Sequence, residues 1–107
     1  MKSEAEIIFD YRQAISKAEE LEGVVANLRQ LSNNDLEGSL QSLSNAWRGE
    51  ASEAYIGKGK KLQERILANA KNLENTAKTI RSTAKRIYDA EMRALQIARE
   101  RQYKLQK

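Results

Sequence analysis

The sequence contains no cysteine, no histidine and no proline, and only five glycines, one phenylalanine and one tryptophan in 107 residues. Without cysteine there is no disulfide and no thiolate nucleophile; without histidine there is no imidazole base and no ordinary zinc site. Carboxylates remain, as at Glu19, Glu20 and Glu22, but immediate neighbours on a helix point to different sides, so these read as a solvated face. No nucleophile, base and orienting group can be assembled, and neither an enzyme activity nor a metal or cofactor is expected. Long apolar runs are missing too. The run Ile7, Ile8, Phe9 is far shorter than the 7 or more residues of a signal-peptide core, and nothing approaches the roughly 20 residues of a membrane span. The expectation is a chain made in the cytoplasm, without stable membrane insertion, whose export would use no cleaved signal peptide.

Hydrophobic residues make up 40% of the chain and charged residues 32%. With no proline to interrupt it, a composition rich in Ala, Glu, Lys, Leu and Arg favours long helices or coiled coils over sheets. A chain of this length holds one small domain whose core is only marginally large enough, so a partner helix would add to it. Charge is unevenly divided: residues 1–50 carry five Lys/Arg against nine Asp/Glu, or −4, and residues 51–107 carry fourteen against six, or +8. An acidic helix lying against a basic one, within a chain or between chains, accounts for this division. The alternative is contact of the basic half with nucleic acid or an anionic membrane. Its basic residues are spread around the helix and interleaved with Glu and Asn, which disfavours that alternative.

From Glu4 to about Leu31 apolar residues recur at helical spacing, as Ile8, Tyr11, Ile15, Ala18, Val25 and Leu28, with Ile7, Ala14 and Leu21 beside them. The segment Ser32, Asn33, Asn34, Asp35 weakens the helix, because these side chains compete for backbone hydrogen bonds. Asn34 with Glu37 could restart it as a cap pair. The rhythm resumes as Leu36, Leu40, Leu43 and Trp47. This predicts a first helix over about 4–46 with a kink or frayed turn near 32–35, the alternative being an outright break there. Gly49 supplies the non-helical dihedrals of a reversal, and Glu50 and Glu53 suit the first turn of a second helix, over about 50–103. Gly57 and Gly59 are read as points of close packing. Leu62, Ile66, Leu73, Ala77, Ile80, Ala84, Ile87, Ala94 and Ala98 form the second stripe, with Asn69 and Glu91 as polar interruptions.

The expected fold is therefore all-α, an antiparallel helical hairpin in one domain over 1–107 with its turn at 47–49. Trp47 plugs the open end of the hairpin or anchors another helix there. The hairpin and dimer interface is assigned to Ile8, Tyr11, Ile15, Val25, Leu28, Leu36, Leu40, Leu43 and Trp47 on the first helix, and to Leu62, Ile66, Leu73, Ile80 and Ile87 on the second. Folding back would pair residues 50 to about 93 and leave the rest overhanging; Tyr88, Glu91, Met92 and Leu95 are the candidate recognition residues of that C-terminal part.

The run SLQSLSNAWRGEASEAYIGKGKKLQE resembles the signature region of the WXG family, the small helical early-secreted-antigen proteins of type VII secretion in Gram-positive bacteria and mycobacteria. Leu40, Leu43, Ala46, Trp47, Gly49, Ser52, Ala54, Tyr55 and Gly57 carry the resemblance, which extends more loosely through NLENTAKTI at 72–80. It implies a hairpin that dimerises into an antiparallel four-helix bundle, as a homodimer or as a heterodimer with a related helical protein or the N-terminal helical domain of a secreted toxin. It also implies export through an ATPase-driven membrane machine, the type VII secretion ATPase, and for some members a role in escorting larger toxins. Many dimers of the family carry an export signal in which a tyrosine is followed four residues later by an acidic residue. Here Tyr88 is followed at that distance by Met92, and Tyr11, Tyr55 and Tyr103 fail likewise. On the family's pattern, the signal then falls to the partner chain.

Overall fold

In the computed structural model, which describes residues 1–106, α1 spans Glu4–Gln30, a π-helical turn spans Leu31–Leu36, α2 spans Glu37–Ala46 and α3 spans Glu50–Gln106; Lys107 lies outside the described residues. There is no strand among the described residues. The fold is an all-α helical hairpin. Its contacts fall into two compact units, residues 1–20 with the part of α3 from Thr76 on, and Leu21–Asn75.

In the first unit Ser3 starts α1. Its hydroxyl accepts the Glu6 N–H at 3.2 Å and donates to the Glu6 carboxylate at 3.3 Å, and its carbonyl accepts the Ile7 N–H. These contacts satisfy N–H groups that a helix start leaves without partners. Ile7, Ala18, Ala77 and Ala84 form the buried core, and Tyr11 meets Tyr88 with ring centroids 5.0 Å apart. In the second unit Val25, Leu40 and Ala70 are buried together with Ser32 and Ser52. Ala70, Ala77 and Ala84 stand seven residues apart on α3, a heptad of small side chains that lets a facing helix approach closely.

The seam runs one residue away from part of the expected stripe. Ile7 is buried, whereas Ile8 and Ile15 are half-buried. On α3, Leu62 and Ile87 are exposed, and the neighbouring Gln63 and Ala84 lie deeper. Asn69 is exposed, so it is no interruption of the seam; Glu91, half-buried and seven residues on from Ala84, is one, and Gln63 and the buried Ser52 are further polar members on α3.

The segment at 31–36 is neither a break nor a frayed end. From Ile7 the seam steps by four and three through Tyr11, Ala14, Ala18, Leu21, Val25, Leu28 and Ser32. An unbroken α-helix would next present Asp35 and Ser39, yet both are exposed, and Leu36 and Leu40 face inward instead. The chain holds one residue too many for the rhythm, and a π-turn absorbs it by closing hydrogen bonds five residues apart, as from the Glu37 N–H to the Ser32 carbonyl. No side chain caps this turn. Gln63 supports it from α3: its amide donates to the Ser32 carbonyl at 3.1 Å and to the Glu37 carboxylate at 2.7 Å, while the Ser32 hydroxyl donates to the Gln63 carbonyl at 3.3 Å.

Of the two glycines near the start of α3, only Gly59 is a point of close packing. A Cβ at Gly59 would stand 2.5 Å from Leu40 Cδ2, whereas one at Gly57 would meet nothing within 4 Å.

Two outcomes follow for thermal unfolding. Deleting Asn34 removes the surplus residue and leaves one continuous heptad stripe, so the melting temperature should stay within about 5 °C of the parent. Deleting Gln13 throws Ala14 and Ala18 out of phase with Ile7 and should cost about 3 kcal/mol or more; equal damage from both deletions would refute the phase account. Separately, Gly57→Ala should stabilise by about 0.5–1 kcal/mol through helix propensity, and Gly59→Ala should destabilise by about 1–2 kcal/mol because the buried Leu40 must move.

Candidate partner-binding faces

The turn is built around Gly49, the one described residue with a left-handed backbone, at φ +124°. Its carbonyl accepts both the Glu53 N–H at 3.1 Å and the buried Ser52 hydroxyl at 2.8 Å, which anchors the first turn of α3. Trp47 ends α2 in an extended conformation, its N–H donating to the Leu43 carbonyl. The indole is 43% exposed and packs against Tyr55, itself 59% exposed, with centroids 6.2 Å apart. Trp47 is therefore a half-covered residue at the turn, with aromatic surface left open.

In the first unit the two sides of the helix pair differ. Ile7, Asp10, Ala14 and Ile87 line a shallow cavity whose rim carries Lys2 and Glu91, while Ile8, Arg12 and Lys85 line a cleft on the other side. Tyr11 and Tyr88 border both because they stand in the seam between. Lys2 holds Asp10 at 2.8 Å and Glu91 at 3.1 Å, and these carboxylates raise its pKa, Asp10 contributing most. Lys85 is raised likewise by Asp89 at 2.8 Å.

The second unit repeats the division. Leu21, Val24, Leu28 and Leu31 recur along α1 in steps of three and four, in phase with Ala14. On α3, Leu62, Ile66 and Leu73 hold the phase of Ile80 and Ile87. Val24 and Leu31 are each 45% exposed, Leu62 49% and Ile87 52%, so one apolar flank of each helix is left uncovered. Arg29, in phase with Ile8 and Ile15, lies on the polar side and binds Glu74 at 2.8 Å, where Lys71 joins at 3.1 Å. The Arg29 guanidinium, with Lys71 second, holds the Glu74 carboxyl down at about 2. Gln63, with Gln41 second, lowers Glu37.

The other assigned positions are placed as follows. Val25 and Leu40 are buried; Tyr11, Leu28, Leu36, Leu43, Ile66, Leu73 and Ile80 are half-buried. Tyr88, Glu91, Met92 and Leu95 do not overhang. They are half-buried, with Tyr88 on Tyr11 and Glu91 on Lys2, and pairing reaches Arg99, which binds Glu4 at 3.2 Å. Sequence reasoning missed Ser32, Ser52 and Gln63; the run of two four-residue steps from Leu28 to Leu36 was the signal that could have found the first. Among the described residues no group of acidic side chains could hold a metal ion, and no helix is long and apolar enough to cross a membrane.

Because the folded pKa of Glu74 is depressed, its stabilising contribution is present above the unfolded carboxylate value near 4.5 and is lost as pH falls toward about 2. Urea unfolding should therefore show Glu74→Gln less stable than the parent by a constant margin above about pH 5.5, with the gap closing below about pH 3. A gap independent of pH would remove the ion pair from the account.

The model of the family described as proteins of 100 residues with WXG matches residues 6–92. No curated protein and no solved structure matches the chain. The match covers nearly all of α1, α2, the Trp47–Gly49 turn and α3 as far as Met92, and by it the chain belongs to the family of proteins of 100 residues with WXG.

Proposed function

We propose that this protein is a protein-interaction module of type VII secretion that acts by packing its uncovered apolar flank against another helical hairpin. Family membership makes it a small type VII secretion-associated protein. The observation that carries the finer reading is the uncovered apolar surface of each unit: Val24, Leu31 and Leu62 in the second and Ile87 in the first, each close to half exposed, stand beside a seam too narrow to cover them. Large apolar side chains repeated along one side of a helix pair mark an interface rather than a solvated surface. Burying two such flanks gives a four-helix bundle, as a homodimer or with a related hairpin or the N-terminal helical domain of a secreted toxin. In this role the chain is either a small secreted substrate or the escort of a larger effector. It is cytoplasmic before export and extracellular after it, and the secretion ATPase engages the complex. Trp47, with its open indole face, contributes to the surface presented to that machine. The missing acidic residue four positions after Tyr88 favours the escort role, because the partner then supplies the export signal.

Light scattering on the purified chain tests the packing directly. A dimer, or a stable complex with a co-expressed partner hairpin, is expected, with Leu62→Glu/Ile87→Glu weakening association by about a hundredfold or more while leaving the helical circular dichroism unchanged. Trp47→Ala should cost only about 1 kcal/mol of stability, the scale of one exposed aromatic contact, yet reduce export. A monodisperse monomer well above about 10 μM that also fails to bind any partner hairpin would overturn the reading.

A further inference from the structure

The C-terminal third of α3 carries a second feature beside the apolar flank. Arg86, Asp89, Ala90, Arg93, Ala94 and Ile97, all exposed, line an open groove to which α1 contributes no residue. Asp89 is engaged by Lys85. Arg86 and Arg93, seven residues apart and so on one face, have no ion-pair partner among the described residues. Where α1 does cover this part of α3, the floor is the alanines Ala77 and Ala84, buried at 0% and 7%, and the edges are the cross-helix ion pairs Lys2–Glu91 and Arg99–Glu4. The uncovered groove has a floor of Ala90 and Ala94 with Ile97; its one carboxylate, Asp89, is taken up by Lys85, which leaves Arg86 and Arg93 as its unmatched charges.

We infer that this groove selects an acidic partner: it receives a helix of another protein whose edge carries Asp or Glu opposite Arg86 and Arg93. The inference rests on the reading that the chain works by packing against a partner hairpin, and it adds the chemistry of that partner. Two features choose this occupant. A floor of alanines admits a helix backbone closely, whereas an amphipathic helix that lies on lipid presents bulky Trp, Phe or Leu. A second copy that set its own basic α3, which lies in the half of the chain carrying +8, against this groove would place like charges across the interface, which acts against pairing. Opposite charges at the edges of paired helices set partner choice more than total affinity.

The probes are three synthetic amphipathic helices of about four heptads with one Leu/Ala seam and edge positions all Glu, all Gln or all Lys. Fluorescence anisotropy measures their binding to the full chain and to Arg86→Glu/Arg93→Glu at low salt. The Glu probe should bind the parent about tenfold more tightly than the Gln probe, and the double variant should prefer the Lys probe. Should charge reversal disturb the helical signal, Arg86→Gln/Arg93→Gln replaces it and must abolish the preference for Glu over Gln. Equal binding of the Glu and Gln probes overturns the acidic-partner inference while leaving apolar packing intact. Binding of no probe by a chain that stays monomeric overturns both. A self-associated chain that the Glu probe does not enter assigns the groove to a second copy. Loss on charge reversal of binding to phosphatidylcholine vesicles with about one third phosphatidylglycerol, with no preference among the probes, assigns it to lipid. Either result refutes the inference.

Discussion

Close approach of α1 and α3 along a seam of small side chains governs where everything else can go. Ala70, Ala77 and Ala84 are the buried apolar residues of α3 and meet Ala18, Ile7, Val25 and Leu40 from the other side, and alanine holds two helix backbones nearer than leucine would. A close pair has a narrow interior, so the branched side chains Leu28, Ile66, Leu73 and Ile80 are covered only in part, and Val24, Leu31, Leu62 and Ile87 stay near half exposure. The uncovered flank is thus a consequence of how the hairpin closes. A seam of leucines would have buried more within one chain and left less to offer to another.

The same seam tolerates polar residues where they fix its register. Ser32 and Ser52 are buried but hydrogen-bonded, Ser32 to the Gln63 carbonyl and Ser52 to that of Gly49, so neither carries the penalty of a lone buried hydroxyl. Gln63 reads the π-turn specifically, because its amide bonds to the Ser32 carbonyl and the Glu37 carboxylate at once. Sliding the helices past one another by a heptad would keep an apolar seam but break this set, which makes a polar position a discriminator of register at some cost in stability. Register in turn sets which α3 residues stand opposite the turn, and so where the Trp47–Tyr55 pair sits.

The helices, the hairpin and the turn were legible because each rests on local chemistry: the absence of proline, apolar recurrence at helical spacing, and the conformational freedom of Gly49. The seam itself was less so. Apolar residues occupy both Ile7 and Ile8, and both Leu62 and Ile66, and periodicity cannot tell the buried stripe from the flank when both are apolar and the deepest positions are alanines. The π-turn was hidden for another reason: Ser, Asn, Asn, Asp suggests weakened helix by propensity, whereas the outcome was decided by phase, with Leu36, Leu40 and Leu43 turning inward at the expense of one irregular turn. The C-terminal residues were misplaced because the extent of pairing depends on which residues of α1 meet α3, and nothing local specifies that Glu4 reaches Arg99.

An acidic first half and a basic second half suggest that the chain neutralises itself, and Arg99–Glu4 follows that division. Lys2–Glu91 and Arg29–Glu74 run against it, with the base just before α1 or on it and the acid on α3. Each such reversed pair uses a scarce carboxylate of α3 to meet a cation from the first half of the chain, so folding leaves the basic excess of α3 on its outer surface. Half-exposed pairs of this kind add little to stability; their larger effect is on what remains. Arg86 and Arg93 stand beside an alanine floor to which α1 contributes no residue, where a charge that folding has not matched becomes a criterion for the next helix to dock.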